Sequence, residues 1–252
     1  AELTAKLASL PADAVAALDF PFSVPQVFAE LWLPDAKTMP DLWRAASAMD
    51  LPDFMHLRDE FVAQNGEPFR RGDRYFPECY SCLHKANPNM VPMTFRGMRM
   101  LDGLWQAGCR VPPLPDGGHS GPLLLESMPG AALRAFGLPF KGYKKGQRAA
   151  ELRRKILDGL ESRSGVKIPN LAQFDNRCIG NDDCLDSVVA SVAACLWSRN
   201  HALFRLPQDG PGDPTSRGGT PHSDENELDA ARLEGWLYAP VFLSGDGILD
   251  SS

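Results

Sequence analysis

A chain of 252 residues, 44% hydrophobic and 23% charged, can bury one large core or two small ones, and this composition excludes a disordered polypeptide and a fibrous repeat. Lys and Arg number 26 against 32 Asp and Glu, a formal net charge of −6, which excludes a surface that is basic all over but allows a local basic strip. No run approaches the roughly 18 consecutive apolar residues of a membrane span, and 22 Gly with 22 Pro point to several long loops.

The opening AELTAKLASL spaces Leu3, Leu7 and Leu10 at helical intervals and stops at Pro11; its charges suit an amphipathic helix and exclude a secretory leader. Six Cys are too few for a disulfide scaffold, so the expected compartment is a reducing cytoplasm with thiols free or metal-bound. Val15 to Leu18 reads as a short buried strand, ended by Pro21 and Pro25, with Asp19 at its C-terminal edge. Residues 34–110 read as a helical insertion punctuated by Pro, with Trp43 and Trp105 as core anchors. A Pro/Gly loop, VPPLPDGGHSGP, leads into a second buried strand, Leu123 to Glu126, which also ends in a carboxylate.

A short helix from Ala131 to Phe136 stops at Gly137. Seven cations follow, Lys141, Lys144, Lys145, Arg148, Arg153, Arg154 and Lys155, against the single Glu151; the later half is helical with Leu152, Ile156 and Leu160 inward. The clearest helix runs from about Asp183 to Arg199, repeating Leu185, Val188, Val189, Val192 and Leu196 at three- and four-residue spacing. Residues 206–227 read as a mobile loop, and AARLEGWLYAP as a helix or helix–strand unit holding Trp236 and Tyr238.

The acids carry the chemistry. Asp19 and Glu126 end two strands that can feed one sheet edge, and Asp183 with Asp186 share a helix face three residues apart. Converging carboxylates repel unless some are protonated or a cation lies among them, and hard oxygen donors suit Mg²⁺ or Mn²⁺, which support phosphodiester hydrolysis. Acids at a helix start also stabilise the positive end of its dipole, and each taken singly has that simpler role. The basic strip suits a polyanion, with Lys141, Lys144, Lys145 and Arg148 on phosphate and Tyr143 or Phe140 available to stack a base; a solvated helix face is the plainer alternative. Arg70, Arg71, Arg74, Lys85, Arg96 and Arg99 form a second, looser basic set. Cys79, Cys82 and His84 in C-x2-C-x-H can present three zinc ligands, with Cys109 or His119 as a fourth; against it stands the lack of a second pair at standard spacing, and buried free thiols are the default. Cys178, Cys184 and Cys195 read as packing residues.

The segments VAALDFPFSVP, LLLESMPGAALRAFGLPFKGYKKGQRAAELRRKIL, NDDCLDSVVASVAA and ARLEGWLYAP, in that order, resemble domain-of-unknown-function family 429, a group of predicted nucleases with a ribonuclease H-like fold. The resemblance implies an α/β fold, a mixed sheet flanked by helices with a helical insertion, and a metal site drawn from Asp19, Glu126, Asp183 and Asp186. Asp19, Glu126 and Asp186 are the implied ligands of Mg²⁺ or Mn²⁺. It also implies opening strands bearing a further Asp, and the sequence is expected to start at the helix that follows them. The expected function is divalent-metal-dependent hydrolysis of RNA or DNA by a protein with no membrane association. The alternative is a catalytically incomplete module of the same fold that binds nucleic acid or protein, and a third reading is a small zinc-stabilised interaction protein.

Overall fold

Two four-residue strands, β1 (Val15–Leu18) and β2 (Leu123–Glu126), pair in parallel, with Val15 opposite Leu123 and Leu18 opposite Glu126. In the computed structural model, which describes residues 2–209 and 225–241, this small sheet is the middle of three layers, and the chain is otherwise mostly helical. Successive strand side chains alternate between faces. Accordingly Ala16, Leu18 and Leu124 enter one core while Val15, Ala17, Leu123 and Leu125 enter the other.

The first core is enclosed by α1 (Glu2–Ala8), α2 (Gln26–Trp32), α3 (Met39–Ser47), α4 (Leu51–Asn65) and α5 (Met90–Gln106). The segment expected as a helical insertion is helical, and its helices share this core with α1, α2 and the strands. Trp43 is fully buried, donates its indole N–H to the Phe22 carbonyl at 2.7 Å, and meets Trp105 edge to face at 6.1 Å. A Gly in α5, Gly97, lets the helix lie against Phe20: a Cβ there would fall 2.3 Å from the ring.

The second core is enclosed by α6 (Pro129–Ala135), α7 (Ala149–Ser164), α8 (Asp175–Gly180), α9 (Asp182–Arg199) and part of α10 (Glu225–Glu234). Leu185, Val189, Val192 and Leu196 of α9 are buried there as their spacing predicts. After α10 the chain turns extended: Leu237 bridges Glu126 in parallel, the Tyr238 N–H donates to the Glu126 carbonyl at 2.9 Å, and Pro240 bridges Phe204. The C-terminal unit is therefore helix then strand-like segment, with Trp236 buried and its N–H on the Arg205 carbonyl.

Within the span 206–227 expected as a loop, Pro207–Asp209 forms a 3-10 turn and α10 begins at Glu225. The remainder, 210–224, lies outside the described residues. Among the described residues no helix is long and apolar enough to cross a membrane.

Candidate active site

Asn181 opens α9. Its side-chain oxygen accepts the Cys184 N–H at 3.0 Å, which satisfies one orphan donor and fixes the first turn. Asp182 and Asp183 lie in that turn, where the helix dipole favours negative charge, and Asp186 one turn on is buried. Because α9 packs directly on β1, these acids arrive at the C-terminal end of the strand, beside Asp19.

Asp19 is exposed to solvent, yet its carboxyl is pushed up to about 7. Surrounding protein is the largest cause, Asp186, Asp183 and then Glu126 add to it, and Lys144 pulls the other way. Asp186 accepts the Tyr143 hydroxyl at 2.8 Å on Oδ1 and has the Lys144 ammonium at 2.7 Å from Oδ2. Burial and Asp182 hold its carboxyl above the usual range against those two partners. Burial pulls the Lys144 ammonium down, but Asp186, Asp19 and Asp182 together keep it above its ordinary value.

Glu126 stands apart from this group. It is in register with Leu18, one position before Asp19, so strand alternation sends the two carboxylates toward opposite layers. On its own side Glu126 is buried and held by Arg70: Nη1 donates to Oε2 at 2.8 Å and Nη2 to Oε1, while the Phe22 N–H donates to Oε2 at 2.9 Å. Arg70 is itself buried and forks onto Asp73 through Nε at 3.0 Å and Nη2 at 2.7 Å. Burial still pushes the Glu126 carboxyl up against the pull of Arg70. Close by, Glu234 accepts the Gln26 and Arg71 N–H groups at 2.6 and 2.7 Å. Gly235 adopts φ +79°, and a Cβ there would sit 3.0 Å from Glu126 Oε2, so this backbone passes where only glycine fits.

Several basic residues have structural partners. Arg70 belongs to the buried network above rather than to a basic surface. Arg148 forks onto Glu151 at 2.9 and 2.8 Å, Arg154 pairs with Asp175 at 2.5 Å, and buried Arg153 donates to the carbonyls of Ile179 at 2.7 Å and Tyr143 at 2.6 Å. Lys144 is committed to Asp186. Lys141, Lys145 and Lys155 form no ion pair among the described residues and remain exposed. Tyr143 is buried with its hydroxyl on Asp186, so it is no platform for a base.

The thiol motif is dispersed. The Cys79 sulfur packs on Met128, Cys82 lies in the first core, and His84 Nδ1 is 2.5 Å from Glu67. His119 rests on Trp105 with Nδ1 at 3.0 Å from the Cys109 carbonyl. Burial pushes the Cys79 and Cys82 thiols up, whereas zinc takes the thiolate.

For Mg²⁺ or Mn²⁺ the donor chemistry fits at Asp19, Asp183 and Asp186: hard oxygens, two of them open to water, with more negative charge than Lys144 offsets. As they stand, no three acid, His or Cys side chains among the described residues are close enough to hold an ion. Asp73 escaped sequence reasoning, and Arg70 was read as part of a looser basic set rather than as the buried partner of Glu126. Asp182 was visible in the helix start but not distinguished from its neighbours.

Residues 1–211 match the model of a family described as protein of unknown function (DUF429). No curated protein and no solved structure matches the chain.

Proposed function

The chain belongs to the DUF429 family, and from that premise we propose that the corner between β1 and α9 is a nuclease centre that hydrolyses phosphodiester bonds of RNA or DNA with a divalent metal, on a ribonuclease H-like arrangement of sheet and flanking helices. One observation carries this reading: Asp19, exposed at the end of β1, lies beside the α9 acids, and surrounding protein together with Asp186 and Asp183 pushes its carboxyl up to about 7. A bound Mg²⁺ or Mn²⁺ supplies an activated water and charge for the leaving oxygen. Asp19, Asp183 and Asp186 would hold it. Tyr143 orients Asp186 by its hydroxyl, and Lys144, balancing Asp186 at rest, is the cation nearest an incoming phosphate. Lys141 and Lys145 at the exposed rim contact the polyanion backbone. Glu126, expected as a ligand, supports the centre instead by anchoring the end of β2 through Arg70.

Purified protein with Mn²⁺ or Mg²⁺ is to be tested against single- and double-stranded RNA and DNA. Cleavage should vanish with chelator and fall at least about 100-fold in Asp186→Asn. Absence of cleavage on every substrate, or cleavage that Asp186→Asn leaves unchanged, rejects the proposal. A second reading, a module that binds nucleic acid without cutting it, is favoured by the Lys144 ion pair, which already neutralises Asp186; salt-dependent binding without cleavage would select it.

A further inference from the structure

α8 ends at Gly180 and α9 begins at Asp182, and this tight junction brings Cys178 Sγ to 3.6 Å from Cys184 Sγ. Both are free thiols. Cys178 is fully buried in the second core, while Cys184 is half-buried in the first turn of α9. Cys184 is thus partly open to solvent while Cys178 is not, and their sulfurs are neighbours, the arrangement of an attacking and a resolving thiol. A disulfide needs a sulfur separation of about 2.05 Å, so roughly 1.5 Å of closure from the observed 3.6 Å is required.

We propose that Cys178 and Cys184 are a thiol–disulfide modification site that exchanges with small-molecule disulfides of the glutathione class. The Cys184 sulfur, its proton released to solvent, attacks one sulfur of the small disulfide and expels the other as a thiolate, which takes up a proton. The Cys178 thiol, which burial and Cys184 push up to about 12, loses its proton only as it attacks Cys184 Sγ in the mixed disulfide, and that proton passes to the second small thiolate as it is expelled. Two protein thiols are oxidised by two electrons in all, and one small disulfide is reduced to two thiols.

The bridge would close a ring through Asn181, Asp182 and Asp183. Arg153 grips the same junction through the Ile179 carbonyl and also holds the Tyr143 carbonyl, and Tyr143 donates to Asp186. Oxidation therefore ties the end of α8 to the turn that presents the α9 acids. The inference stands on the thiol geometry and does not depend on what that acidic corner does.

The test is thiol counting on the full chain, incubated with glutathione disulfide, denatured, alkylated and weighed by mass spectrometry. Reduced protein should take up six alkyl groups, one per cysteine, and oxidised protein four, with a dithiothreitol-sensitive peptide joining Cys178 to Cys184. Loss of this pair should run at least about 10-fold faster than loss of any other cysteine, as thiol access dictates. Cys184→Ser, which keeps the buried sulfur and hence the core, should retain five alkylatable thiols and form no internal bridge. Six alkyl groups after oxidation, a bridge mapped to other cysteines, or a glutathione adduct on Cys184 that Cys178 never resolves would each overturn the proposal.

Discussion

At Asp19 the surroundings and the neighbouring carboxylates favour the protonated form, so the sign of its effect on stability is fixed. The folded-state value of about 7 lies above the unfolded value near 4. Across that window the folded protein holds a proton that the unfolded chain has released, and the contribution of this carboxyl to stability falls as pH rises. In metal-free protein, Asp19→Asn removes the penalty: its melting temperature relative to wild type should climb between about pH 4 and pH 7 and level off above. A difference that stays flat across this range contradicts the placement of Asp19 among the α9 acids. Arg70 gives the opposite case, one buried cation between two buried carboxylates. Arg70→Met strands Glu126 and Asp73 and should cost about 3–5 kcal/mol in urea unfolding, whereas Glu126→Gln keeps the Arg70–Asp73 fork and should cost less. The acids themselves were legible in the sequence, because Asp and Glu closing apolar runs stand out. Which layer each faces was not, since a one-residue offset in register, Leu18 against Glu126, separates Glu126 from Asp19 and nothing local encodes that offset.

Elements were more legible than contacts. The α9 pattern, the two strands and the Pro and Gly stops follow from local spacing, and the structure keeps them. The C-x2-C-x-H run failed as a zinc set because ligand spacing says nothing of burial, and Cys82 turned into the core. The pairing of Cys178 with Cys184 went unseen because it spans the junction of two helices, where neither helical periodicity applies. At the start of α9, Asn181→Ala removes the acceptor for the Cys184 N–H and should destabilise the protein by about 1 kcal/mol, measured by chemical denaturation. An effect near zero would mean that the cap does not fix the turn. In α5, Gly97→Ala sets two terms against each other. Helix propensity favours Ala by up to about 1 kcal/mol, but overpacking against the Phe20 ring costs about 1–3 kcal/mol. The second should win, with net loss of stability and a displaced Phe20 that perturbs Asp19 next to it in sequence; a stabilised Gly97→Ala protein would show that the ring swings aside freely.

For the whole molecule, the sheet matters more than its eight residues suggest, because both cores close on it. Leu124 faces the α1–α5 layer and Leu125 the α6–α10 layer, adjacent positions on one strand. A side chain lost on one face leaves a cavity that weakens β2, and β2 is equally the floor of the other layer. The site depends on the same link, since Asp19 leaves β1 while Asp183 and Asp186 come from α9 packed against it. Leu124→Ala should therefore lower global stability by about 2–5 kcal/mol, although the residue never touches the acidic corner. Native-state hydrogen exchange separates cooperative from independent layers. If the sheet couples them, the most protected amides of α9 lose protection by the same free energy as those of α3. If α9 amides keep wild-type protection while α3 loses its own, the layers unfold separately, and the geometry at Asp19 would survive damage to the first core.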